Sequence, residues 1–138
     1  MRQRFFHGLT LIAFLTPFPI IAQQAETDPL AQYAWVSRPL VIFADTPEDP
    51  RYIRQMDLLK ADPEALAERD IVVLTDTDPA AESALRERLR PRDFMLVMID
   101  KDSNVVFRKP TPWSVREISR SIDKTPMRID EMNEKLGK

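Results

Sequence analysis

Apolar residues fall into short runs bounded by proline, aspartate and charged clusters, and their spacing separates strands from helices. Pro39 to Asp45 (PLVIFAD) is a run of β-formers with no polar alternation, the pattern of a strand covered on both faces. Ile71 to Thr75 (IVVLT) is a second strand, Phe94 to Ile99 (FMLVMI) is again apolar without alternation, and Asn104 to Arg108 follows across a short polar turn as a hairpin partner. Helical spacing takes over between them. Asp49-Pro50 starts a helix with aspartate as cap and proline where its missing N–H costs nothing, and Tyr52, Met56 and Leu59 share one side. Asp62-Pro63 opens a shorter piece to Arg69. Asp78-Pro79 predicts a third helix reaching about Arg90, with Ala81, Ala84, Leu85 and Leu89 inward and Glu82, Arg86 and Arg90 outward. Ser114 and Glu117 form a capping box, flanked by Trp113 and Ile118 at the staple positions. Val115, Ile118 and Ile122 make the buried face of that helix, and Thr125-Pro126 ends it.

The order is β-α-β-α-β-β-α. Two helix-linked strands followed by a hairpin predict a mixed sheet flanked by helices, and right-handed crossovers leave a thioredoxin-like α/β arrangement as the best fit.

The beginning of the chain follows a different rule. Arg2 and Arg4 precede an apolar stretch from Phe5 to Ala22 that carries no acidic residue, the pattern of a signal peptide cleaved after Ala22 or, second, after Ala25, against the alternative of an uncleaved anchor. The expected organisation is a signal peptide over 1–22, a flexible polar lead-in over 23–34, the folded domain over 35–132 and a tail over 133–138. The destination is then periplasmic or extracellular, with no membrane attachment once the signal is gone.

Composition narrows the chemistry. The 138 residues include no cysteine, and the one histidine, His7, lies within the signal peptide. Loss of Arg2 and Arg4 lowers the 20 basic residues to 18 against 22 acidic ones, a net charge of −4. That balance argues against nucleic acid, which demands a concentrated basic surface. Structural zinc lacks its usual ligands, and Gly137, the one glycine past the signal peptide, cannot build a phosphate-cradling loop. No cofactor is expected. Ser121 to Lys124 spells an SxxK pattern without its companion motifs and is read as chance.

Four segments carry a family resemblance: RPLVIFA at Arg38 to Ala44, ERDIVVL at Glu68 to Leu74, FMLVMIDKD at Phe94 to Asp102, and IDKTPMR at Ile122 to Arg128. The chain resembles a bacterial secreted domain family of unknown function, with relatives in sushi-repeat-containing extracellular matrix proteins of vertebrates. The resemblance implies a thioredoxin-like fold with similarity to peroxiredoxins, and it implies no activity. Redox-active thioredoxin relatives place cysteine just after the first strand; Asp45 to Pro50 (DTPEDP) occupies that stretch. They also place a cis-proline before the third strand, near Asp93 here. Thiol exchange needs a thiolate, so the redox function does not carry over.

Two clusters remain as candidates. Asp45, Asp49 and Asp76 gather at the carboxyl ends of the first two strands, where α/β proteins bind ligands. They fit a divalent cation or a carboxylate-based enzyme, against the plainer reading of caps and turns. Arg116, Arg120 and Lys124 stand four apart on the last main helix, with Arg128 shortly after. They suit an acidic protein partner or a small anionic ligand, against the plainer reading of a solvated face. The leading expectation is a non-catalytic binding module.

Overall fold

The computed structural model describes residues 28–138, so the expected signal peptide lies outside the described residues. Strand β1 (Arg38–Phe43) leads through helices α1 (Pro50–Leu59) and α2 (Pro63–Glu68) into β2 (Ile71–Asp76). Helix α3 (Ala84–Leu89) leads to the hairpin of β3 (Met95–Ile99) and β4 (Val105–Lys109), followed by α4 (Val115–Ile122) and α5 (Pro126–Lys135). The sheet order is β2-β1-β3-β4. β1 pairs parallel to β2 and antiparallel to β3, and β3 pairs antiparallel to β4. This is the mixed α/β sheet that the hydrophobic pattern predicts.

β1 is buried along its whole length because both faces of the sheet are covered. Leu40, Ile42, Leu96 and Met98 meet Leu59 of α1, Leu66 of α2 and Val115, Ile118 and Ile122 of α4 on one face. Val41, Phe43, Val97 and Ile99 meet Leu89 of α3 and Leu30 on the other. Burial of these side chains contributes roughly 1.5–3 kcal/mol each and is the main force holding the layers together.

Leu30 corrects the expected lead-in. Residues Ala31–Tyr33 form a 3-10 turn, and Leu30 is only 1% exposed, filling a face for which α3 alone is too short. The folded domain therefore begins before Trp35. At the other end α5 runs to Lys135, into the span expected as a tail.

The third helix departs from its predicted register. Pro79–Ala81 makes only a 3-10 turn, and Asp78 gives no side-chain cap. Glu82 then takes the left-handed conformation (φ 46°), through which an α-helix cannot continue. Ser83 restarts the helix, its Oγ accepting from the Arg86 N–H at 3.2 Å. Ala81 and Ala84 are exposed as a result, and only Leu85 and Leu89 of the expected stripe reach the core.

The start of α4 is as predicted. Ser114 Oγ accepts from the Glu117 N–H at 3.3 Å, and Glu117 Oε2 accepts from the Ser114 N–H at 2.8 Å. Gln55, fully buried on α1, adds a clasp: its Nε2 donates to the Trp113 carbonyl and its Oε1 accepts from the Trp113 N–H, both at 2.8 Å. Ser114→Ala is expected to cost about 1 kcal/mol in urea unfolding with an unchanged slope, the ordinary loss of an N-cap.

Candidate functional site

The carboxyl ends of β1 and β2 are where the acidic candidates fall, and arginines neutralise two of them. Asp49 caps α1 through the Arg51 N–H at 2.8 Å, and Arg51 Nη2 returns to Asp49 Oδ2 at 2.7 Å. The same nitrogen reaches Asp93 Oδ1, also at 2.7 Å, and the guanidinium lies over the Phe94 ring. Asp93 holds a left-handed backbone (φ 53°), which aspartate tolerates better than most residues. Hydrogen bonds from Arg51 hold both carboxyls below their ordinary range. One guanidinium thus ties the stretch after β1 to the approach to β3.

Asp76 is held separately. Its carboxylate accepts from Ser83 Oγ and, at 2.9 Å, from Arg86 Nε, while Arg86 Nη2 donates to the carbonyls of Ala44 and Asp76. Burial alone would raise this carboxyl; the Ser83 and Arg86 hydrogen bonds reverse that and lower it. Arg86, expected outside, is therefore turned inward to brace the two strand ends. Asp45 stays exposed. Among the described residues no group of three or more acidic side chains is placed to hold a metal ion. Of the three candidates, Asp49 and Asp76 are engaged by arginines and Asp45 alone is exposed.

The basic candidates divide. Arg116 and Arg120 are exposed on α4, whereas Lys124, expected on the same helix, is exposed in the turn beyond its end at Ile122; none of the three makes a side-chain hydrogen bond or salt bridge among the described residues. Arg116 and Arg120 border a groove of about 580 Å³ between α2 and α4, lined by Leu58, Ala65 and Val115 and, on the α2 side and past the end of α4, by the carboxylates of Asp62, Glu68 and Asp123. Ser119 lines the same groove, and its buried Oγ has no hydrogen-bond partner. Arg128 does not belong to this surface: it is 1% exposed and points into the fold. Its place on the first turn of α5, behind the Thr125 cap, aims it back between α2 and α4 rather than outward.

Arg128 belongs to a buried ion network at the opposite end of the sheet, which sequence reasoning missed. Arg38, wholly buried at the start of β1, donates to Asp100 Oδ1 at 2.7 Å, to the Arg69 carbonyl at 3.0 Å and to both carboxylate oxygens of Glu131 at 3.2 and 2.9 Å. Glu131 also meets Lys101 at 2.9 Å and Arg128 at 3.2 Å. Arg128 continues to Glu68 at 3.1 Å, and Arg69 grips Asp123 with two bonds of 2.9 and 2.8 Å. Burial would raise the Glu131 carboxyl, but hydrogen bonds from Arg38, Lys101 and Arg128 bring it down to about 2. Arg38, Glu68, Arg69, Asp100, Lys101, Asp123 and Arg128 all come from the four segments that carry the family resemblance. That coincidence was the available signal, and the network is structural: every carboxylate in it already has a basic partner.

A β2-β1-β3-β4 sheet with this mix of directions and helices on both faces, in a chain without cysteine, defines a thioredoxin-like domain with no thiol centre. The chain belongs to the family described as "Domain of unknown function (DUF4174)", matched over residues 29–131. Among solved structures it is similar to the reduced 2-Cys peroxiredoxin of Plasmodium vivax, at 17% identity and a TM-score of 0.56, covering 77% of this chain and 84% of that one. It also matches StoA from Bacillus subtilis at 6% identity and a TM-score of 0.40, covering 62% of this chain and 81% of that one. The peroxiredoxin likeness shows the fold. No curated protein is similar enough to the chain to count as a match.

Proposed function

We propose that the protein is an exported, non-catalytic binding module that takes an acidic protein partner along α4. The observation that carries this reading is a contrast between two surfaces. Arg51 and Arg86 neutralise Asp49 and Asp76 in the crevice, whereas the guanidiniums of Arg116 and Arg120 stand exposed beside a groove without a side-chain hydrogen bond or salt bridge among the described residues, Glu117 acting on Arg120 only through its charge. Arginine on a groove rim steers and orients acidic partners more strongly than it stabilises a fold. Thiol chemistry has no atom to run on, since the chain carries no cysteine. Export rests on Arg2, Arg4 and the apolar stretch to Ala22. Among the described residues no helix is long and apolar enough to cross a membrane.

The test is cross-linked affinity capture from cell envelopes, comparing the wild type with Arg116→Glu/Arg120→Glu/Lys124→Glu. A dominant partner retained by the wild type and reduced about tenfold or more in the variant is the expected result. Equal recovery by both proteins contradicts the α4 assignment.

A further inference from the structure

A second cationic site lies on another part of the molecule. Helix α3 ends at Arg88-Leu89, and Arg90 closes it in the left-handed conformation (φ 48°), its N–H bonded to the Arg86 carbonyl at 2.7 Å. Pro91 and Arg92 then carry the chain toward β3. On the neighbouring strand β4, Arg108 stands opposite Val97 and donates through Nη1 to the Leu89 carbonyl at 2.6 Å. These segments border a shallow, open depression of about 380 Å³ lined by Arg88, Leu89, Arg90, Arg92, Met95 and Arg108. A volume of that size lies within the usual small-ligand range of roughly 300–1,000 Å³.

Every charged residue lining the depression is an arginine. Arg88 has one exposed contact, to Asp28 Oδ2 at 3.3 Å, and Arg108 spends a single nitrogen on the helix end. Arg90 and Arg92 make no side-chain hydrogen bond or ion pair among the described residues. Four like charges gathered from a helix, a loop and a strand repel one another, in a chain whose net charge is −2. Solvated single arginines are common on any surface. Four around one depression, with Leu89 and Met95 as an apolar floor and no carboxylate among the lining, form a receptor for negative charge. The residue type narrows the ligand: the planar guanidinium presents paired donors that match phosphate oxygens two at a time, which lysine cannot do.

We infer that this depression binds a phosphate group, with Arg90 and Arg92 as the free donors and Arg88 and Arg108 framing the seat. The phosphate is either on a small soluble molecule or on a lipid headgroup, and the two sources separate experimentally. The site is distinct from the α4 surface and stands or falls without it.

Calorimetric titration of the purified exported chain with inorganic pyrophosphate tests the soluble source, and co-sedimentation with phosphatidylglycerol vesicles tests the headgroup. Both are run against sodium chloride at equal ionic strength, on the wild type, Arg90→Gln/Arg92→Gln and Arg116→Gln/Arg120→Gln. Binding in at least one arm is expected, about tenfold or more weaker in the Arg90/Arg92 variant and unchanged in the Arg116/Arg120 variant. Pyrophosphate binding assigns a soluble phosphate ligand; vesicle binding alone assigns a headgroup. No binding beyond the chloride control in either arm overturns the inference. So does binding that survives in the Arg90/Arg92 variant, whose exposed side chains leave its thermal unfolding as the check that it has folded.

Discussion

Arg38→Met is expected to lower the unfolding free energy by about 3 kcal/mol or more, the typical result of removing one partner from a buried ion pair. The substitution keeps bulk and removes the charge. Asp100, itself nearly buried, loses the Nε–H that neutralises it, and the Arg69 carbonyl loses its donor. Glu131 keeps Lys101 and Arg128 but loses the two-pronged contact. For a domain of this size such a loss lowers Tm by roughly 10 °C or more. Arg38→Lys restores the charge without the planar fork and recovers only part of the deficit. Urea unfolding of the two variants beside the wild type checks the expectation, and a deficit below about 1 kcal/mol for Arg38→Met contradicts the role assigned to the network.

The same network sets the response to acid. In the unfolded chain Glu131 titrates at the ordinary 4.5, whereas in the fold Arg38, Lys101 and Arg128 hold it near 2 against the opposing effect of burial. A carboxyl whose folded value is depressed contributes stability that is fully present above its unfolded value and is lost as pH falls through the folded one. The contribution of Glu131 is therefore complete above about pH 4.5 and disappears toward pH 2, and a displacement of this size corresponds to about 3 kcal/mol. Asp123, held below its ordinary range first by Arg69, and Asp76, where Ser83 and Arg86 overcome burial, act in the same direction. Glu131→Gln is expected to be less stable than the wild type at pH 7 and to lose less between pH 4.5 and 2. Urea unfolding at pH 7, 4.5, 3 and 2 distinguishes this from parallel curves for the two proteins, which would place the acid sensitivity elsewhere.

The strands were legible because Leu40 to Phe43 and Leu96 to Ile99 are apolar without alternation, which only a doubly covered sheet interior accommodates. The α4 start was legible because a capping box is local chemistry: Ser114, Glu117 and the backbone between them suffice. Leu30 was not, since one apolar residue in a polar stretch has no period, and its burial depends on space left by a short α3. The α3 register failed at Glu82, where a left-handed backbone on an unremarkable residue leaves no mark in the sequence.

Charge was the hardest property to place. Arg116 and Arg128 look alike in sequence, each near the start of a proline-flanked or capped helix. Yet one is exposed and the other buried among Glu68, Asp123 and Glu131. Those partners come from three separate segments, and no local rule joins them. Arg51 and Arg86 were missed as neutralisers of the acidic crevice for the same reason. Asp93 is 42 residues from Arg51, and the Ala44 carbonyl is 42 from Arg86. What the sequence did carry was the exclusion: without cysteine the chain has no thiolate for disulfide exchange.

The proposed role is binding along α4 and the turn after it rather than at the crevice beyond β1 and β2. Site-specific photo-cross-linking in cells tests it most directly, with a photoreactive residue placed in turn at Lys124 and at Asp45, both exposed. A discrete protein adduct from position 124 and none from position 45 is the expected result. An adduct from position 45 alone would contradict it and return the function to the crevice.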